Sequence, residues 1–250
     1  MSGHSKWAKI HRAKETSDQK KGQSFTKLSN AITLSVRESG GIGDPEFNFK
    51  LRLAIEKAKE ANMPKENIQR AVDRALGKGE GSSIEEIMYE GYGPGGVGIL
   101  VQSVTDNHQR TVQEVKNIFD RNGGNVASPG SVSFNFKKSG LITINAGEKS
   151  EEVILQMMDL GVDDIDDCQE GDLEIYVKPE DLIPIKDKLV NLGYTPKSVE
   201  IIMKPINYVS ISDKKTAEQI LSLIEKLESL DDVQKVFANF DISEDVIPSD

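Results

Sequence analysis

Between residues 6 and 14 the chain carries Lys6, Trp7, Lys9, His11, Arg12 and Lys14, a single tryptophan set among cations. Ammonium and guanidinium groups neutralise phosphates, and an indole stacks on a base whatever its identity, so this set fits nucleic-acid binding. The competing reading is a solvated charge run in which Trp7 anchors the arm on its own protein. Lys20, Lys21, Lys27 and Arg37 extend the positive surface beyond the arm. The first thirty-seven residues hold eight Lys and Arg against only Glu15 and Asp18, about +6, on a chain whose formal net charge is -10. A polyanionic partner is expected at this end, and the acidic remainder repels it.

The other chemistry-bearing residues suggest binding more than catalysis. His4, His11 and His108 are scattered and Cys168 is the single cysteine, so no Cys/His grouping has metal-ligand spacing and no internal disulfide can form. No metal or cofactor is expected. The segment GYGPGG satisfies G-x-G-x-x-G through Gly91, Gly93 and Gly96, but the dinucleotide fingerprint must follow a strand and open a helix, and here the segment precedes a strand. A glycine-rich entry turn is the ordinary reading; the alternative is that the backbone at Gly93, Gly95 and Gly96 approaches an anion. In TDNHQRT, Asn107 suits an N-cap, while Arg110 and Thr111 in the first helical turn could also favour an anion. No nucleophile or orienting carboxylate for His108 can be named. Asp163, Asp164, Asp166, Asp167, Glu170 and Asp172 form an acidic run without the calcium-loop pattern, which reads as a solvated strand and turn.

Elements must position these groups, and a chain of 250 residues with 37% hydrophobic content can form one large domain or two to three small ones. From Ser17 onward Phe25, Leu28, Ile32 and Val36 line one helical face; Leu51, Ala54, Ile55 and Ala58 mark a second helix, and Ile68, Ala71, Val72 and Ala75 a third beginning at Pro64. The segment GKGEGSS at 77–83 is a polar joint expected to leave the bundle independent of the rest of the chain. Beyond it come a strand in GVGILVQSVT, a helix at 110–121 and a strand in SVSFNF. Next is a βαββαβ series with the order of a split βαβ unit, and then a second βαβ in the tail. The fold expected is α+β: an N-terminal three-helix bundle followed by two ferredoxin-like α/β lobes, one inserted into the other. Its divisions are a basic arm at 1–16, a bundle at 17–77, a discontinuous ferredoxin-like domain at 84–136 plus 206–250, and an inserted acidic one at 137–205. Each sheet is expected to cover one face with helices and leave the other open. The charged N-terminus lacks the apolar core of a signal peptide and no apolar stretch can span a bilayer, so a cytoplasmic protein without a membrane partner is expected.

The segments GHSKWAKI, KGQSFTKL, GDPEFNFKLRLAIEKAKEANMPKENI, YEGYGPGG, TDNHQRT, NGGN and GSVSFNF, in that order, resemble the YebC/PmpR family over nearly the whole chain. The resemblance implies a three-lobed protein of a family described as DNA-binding transcriptional regulators, whose mitochondrial relatives activate translation and whose bacterial members have been connected with the ribosome. It brings no catalytic residues. The leading expectation is a non-enzymatic, DNA-binding regulator of gene expression that uses the arm and bundle. The alternatives are a translation factor binding ribosomal RNA and, further off, a small-molecule enzyme in an interlobe cleft.

Overall fold

The computed structural model describes residues 25–78, 84–147, 150–168 and 171–242. Helices α1 (Phe25–Glu38), α2 (Phe49–Glu60) and α3 (Lys65–Ala75) form the bundle, with Leu28, Ile32 and Val36 of α1 buried against Leu51, Ala58, Ile68, Ala71 and Val72. Asn48 ties the α1–α2 loop together. Its side chain accepts from the Leu51 N–H at 3.0 Å as the α2 N-cap, and its amide donates to the oxygens of Ser35, Ser39 and Ile42. Pro64, expected as the first helical residue, is instead the α3 N-cap, so the helix begins one residue later at Lys65.

A four-stranded antiparallel sheet comes next, ordered β3 (Asn125–Ala127), β1 (Glu85–Tyr92), β2 (Gly98–Thr105) and β9 (Val233–Ala238). Helices α4 (His108–Arg121) and α7 (Lys214–Glu228) cover one face, where Phe119, Ile220 and Leu223 pack with Val97, Ile99 and Val101. From the tail, this sheet takes only β9. Strand β8 (Val209–Ile211) pairs in parallel with β10 (Phe240–Ile242) as a separate two-stranded sheet. The second four-stranded sheet is ordered β5 (Asp164–Asp167), β6 (Asp172–Val177), β4 (Phe136–Asn145) and β7 (Pro196–Pro205). Helices α5 (Ser150–Met158) and α6 (Leu182–Asn191) pack Val153, Met157, Leu182 and Leu189 onto Ile142, Ile144, Leu173 and Ile175.

The structure corrects three further expectations. The strand expected at 131–136 does not form before its last residue: a turn and a short 3-10 segment (Ser133–Asn135) lead into β4 at Phe136. The Glu90 carboxylate takes the N–H groups of Gly130, Val132 and Ser133 at 2.8, 2.6 and 2.9 Å, so these donors go to a side chain instead of a ladder. The sheet partner in that region is β3, which pairs with β1, a strand that the sequence pattern did not reveal.

The first sheet also has no open face, since β2 is buried at all eight positions. Leu100 packs behind it with Val132, Phe136 and Met203, and Val104 with Leu34 and Ile84. Nor is the bundle independent. The Asn30 side-chain amide donates to the Val104 carbonyl at 2.9 Å, and the Lys27 ammonium to the main-chain oxygen of Glu228.

Candidate nucleic-acid interface

Lys6, Trp7, Lys9, His11, Arg12, Lys14, Lys20 and Lys21 lie outside the described residues, as does most of the joint after Gly77. Of the predicted cations, Lys27 and Arg37 are described, both half-buried on α1. Lys27 is engaged with the C-terminal end of α7, so its charge also serves the docking of the bundle.

The bundle supplies cations that the sequence reading passed over. Lys57 and Lys59 on α2 and Lys65 and Arg70 on α3 are exposed and form no ion pair among the described residues. They could have been found by projecting the helices, because they fall outside the apolar stripe set by Leu51, Ala58, Ile68 and Val72. Cations of the sheets are used differently. Lys137 pairs with Asp163 at 3.1 Å, Lys197 with Asp172 at 2.6 Å, Lys204 with Asp164 at 2.6 Å and Lys235 with Glu200 at 2.7 Å. Residues 1–78 carry sixteen Lys and Arg against nine Asp and Glu, whereas residues 79–250 carry fifteen against thirty-two. Three carboxylates of the acidic run, Asp163, Asp164 and Asp172, thus pair with lysines of their own lobe, and the excess of positive over negative residues lies in 1–78.

The six candidate anion-binding residues fall into two groups. Gly93, Gly95 and Gly96 belong to the turn joining β1 to β2, while Asn107, Arg110 and Thr111 come after the far end of β2, about 23 Å away for eight strand residues. In the turn, Gly95 and Gly96 adopt φ of 70° and 77°, a region that favours glycine, and the Gly96 N–H donates to the Gly93 carbonyl at 3.2 Å. Gly91, within β1, permits close packing: a Cβ there would lie 2.6 Å from the Phe119 ring and 2.8 Å from the Asn125 carbonyl.

At the other end, Asn107 caps α4 by accepting from the Arg110 N–H at 3.1 Å. Beside this positive helix end lies the chain's own buried Asp232, which accepts from the hydroxyls of Thr105 at 3.0 Å and Thr111 at 2.7 Å and from the Arg110 guanidinium at 2.7 Å. Arg110 also reaches Asp106 at 3.2 Å, and its pKa is raised first by the hydrogen bond to Asp232. Near it the Tyr89 hydroxyl has no partner among the described residues, and its pKa is pushed up to about 12 by burial and then by Asp232. His108 lies beside the Tyr89 ring, with centroids 6.1 Å apart.

Among the described residues, no group of three or more His, Cys, Asp and Glu could hold a metal ion, and no helix is long and apolar enough to cross a membrane.

Two family models match the chain: the TACO1/YebC protein N-terminal domain over residues 5–78, and the TACO1/YebC second and third domain over residues 84–240. The chain belongs to the TACO1/YebC family. Among curated relatives it is 50% identical to a probable transcriptional regulatory protein of Chloroflexus aurantiacus, covering 99% of this chain and 98% of that one. A probable transcriptional regulatory protein of Moorella thermoacetica is 48% identical, over 97% and 96%. The crystal structure of a conserved hypothetical protein from Aquifex aeolicus is 43% identical, covers 93% of this chain and 95% of that one, and superposes with a TM-score of 0.78. The boundary between the two TACO1/YebC models, at 78 and 84, coincides with the joint after Gly77. Relatives of this TACO1/YebC chain bear regulatory names, which supports a regulatory role at the level of the family.

Proposed function

We propose that this protein is a nucleic-acid-binding regulator of gene expression, with duplex DNA as its first target, acting by binding and not by catalysis. The observation that carries this reading is the division of charge. Sixteen cations against nine carboxylates in residues 1–78 attract phosphates, and fifteen against thirty-two in the remainder turn that part away from them. The arm, with Lys6, Trp7, Lys9, His11, Arg12, Lys14, Lys20 and Lys21, would track the phosphates, and Lys57, Lys59, Lys65 and Arg70 would continue the surface across the bundle. In this reading the sheets form two ferredoxin-like lobes, with 137–205 inserted between 84–136 and 206–250, and serve as a rigid acidic platform. A cytoplasmic setting suits a chain whose single cysteine, the buried Cys168, can form no internal disulfide.

A second reading, an RNA target in translation, is favoured by one observation, the exposed aromatic ring of Phe47. The deciding experiment compares duplex DNA with structured and single-stranded RNA by fluorescence anisotropy across a salt series. Binding that depends on the arm and falls with salt supports the reading, and affinity unchanged on deleting residues 1–21 ends it.

A further inference from the structure

We infer that Phe47 is a stacking platform for an unpaired base of a single-stranded nucleic acid, an inference that rests on the binding role proposed for the bundle. Phe47 is 76% exposed, more than any other large apolar side chain among the described residues. A phenyl ring held in water adds nothing to the core, yet the backbone beneath this one is firmly fixed. The Glu46 N–H donates to the Asp44 carboxylate at 2.9 Å and the Phe47 N–H to the Asp44 carbonyl at 3.1 Å. From α2, Arg52 donates through Nε to the Pro45 carbonyl at 3.0 Å and through Nη2 to the Glu46 carbonyl at 2.9 Å. The next residue is the buried Asn48, anchored to α1 and α2 by its side chain. The ring is therefore presented on a loop that has little freedom to lose when a ligand binds.

The positive excess of residues 1–78 as a whole, and not the local charge beside Asp44 and Glu46, favours a nucleic acid as the occupant. Phe47 lies in the positive part of the chain, and a shallow groove of about 230 Å³ borders its loop, lined by Pro45, Glu46, Arg52, Ile55, Glu56 and Lys59. Of the exposed α2 lysines, Lys59 lines this groove beside Pro45 and Glu46. Every base has a π face, so this contact needs no base-reading side chains, which fits a bundle that offers none recognisable. In a duplex those faces are stacked inside the helix, so the occupant must be single-stranded or a loop.

The test measures affinity of the full chain for an oligoadenylate RNA, the matching DNA single strand and a DNA duplex. Phe47→Ala should weaken binding to the single strands about 5- to 150-fold, with the salt slope kept, while duplex binding stays within about twofold. Phe47→Tyr should restore single-strand affinity, and the thermal midpoint of the free Phe47→Ala protein should equal that of the parent. A loss on RNA alone supports the inference and identifies RNA as the source of the base. Unchanged single-strand affinity in Phe47→Ala overturns it and leaves the ring to a protein surface; an equal loss on the duplex also overturns it, as general damage to the loop. A parent chain that binds none of the three ligands overturns the proposed function itself, an outcome distinct from a parent that binds and a variant that binds equally well.

Discussion

The side-chain amide of Asn30 donates to the main-chain carbonyl of Val104 across 2.9 Å of buried space, joining α1 of the bundle to the last residues of β2. Beside it Leu34, Ile84 and Val104 form a small buried cluster. The ladder between β2 and β9 shifts register at Gln102 and Ser103, and past that bulge the Val104 N–H donates to the Asp232 carbonyl at 2.8 Å. The irregularity frees Val104 to hold the neighbouring element, a common use of a bulge at the end of a strand. Asn30→Leu removes the donor and leaves a buried carbonyl without a partner, so a loss of about 1 to 3 kcal/mol is expected in urea unfolding. If Asn30→Leu unfolds with the parent's midpoint, the bundle is not held by this bond.

Glu90 governs the acid stability of the loop that leads into β4. Burial pushes its carboxyl up, but the N–H groups of Gly130, Val132 and Ser133 together outweigh burial and hold it below the usual carboxylate range. A lowered folded pKa means stability that is present above the unfolded value, about 4.3, and is lost as pH falls through the folded one. Glu90→Gln should therefore flatten the fall in stability below about pH 4.3 and cost about 1 to 3 kcal/mol at neutral pH, read from denaturation curves across a pH series.

Asp232 occupies the positive end of α4, and its removal tests whether that end can take another anion. Asp232→Ala takes one acceptor from the Thr105 and Thr111 hydroxyls, which keep each other and Asn107 as partners, and the buried carboxylate from Arg110, so a cost of about 1 to 3 kcal/mol is expected. Added phosphate should then raise the melting temperature of the variant more than that of the parent, because a vacated helix end attracts anions. Equal shifts would show that Asn107, Arg110 and Thr111 form no anion site even when free.

Gly91 should resist substitution for a steric reason. A Cβ would press on the Phe119 ring from one side and on the Asn125 carbonyl from the other, so Gly91→Ala should lose about 1 to 3 kcal/mol in thermal or urea unfolding. A stable Gly91→Ala protein would show that the β1–β3 pair can shift to admit the methyl group.

For binding, engagement of about four to six duplex phosphates predicts a plot of log K against log salt with slope near -4 to -5, and removal of residues 1–21 should flatten it. Lys6→Ala and Arg12→Ala should each lower the slope by about one, while Trp7→Ala should cost about 1 to 3 kcal/mol with the slope kept, if the indole stacks on a base. As Trp7 is the only tryptophan, its fluorescence reports on the arm directly, and unquenched emission with unaltered affinity in Trp7→Ala would reduce the arm to a cationic tether.

Local pattern was enough to determine the helices and the charge. Leu28, Ile32 and Val36 recur at helical spacing, Asn107 and Asp213 stand where helices start, and the lysines of the arm are cationic in any fold. Tertiary structure alone decided what lies far apart in sequence. The alternation in SVSFNF buries Val132 and Phe136 and exposes Phe134 as a strand would, but the N–H groups of Val132 and Ser133 go to Glu90, more than forty residues earlier, and that of Asn135 turns back to the Val132 carbonyl. Arg110 meets Asp232 across 122 residues, and Leu34 of the bundle helps close the sheet face that was expected to stay open. Periodicity records which side of an element is apolar, whereas the partner that covers it or takes its hydrogen bonds is set by the global packing of the chain.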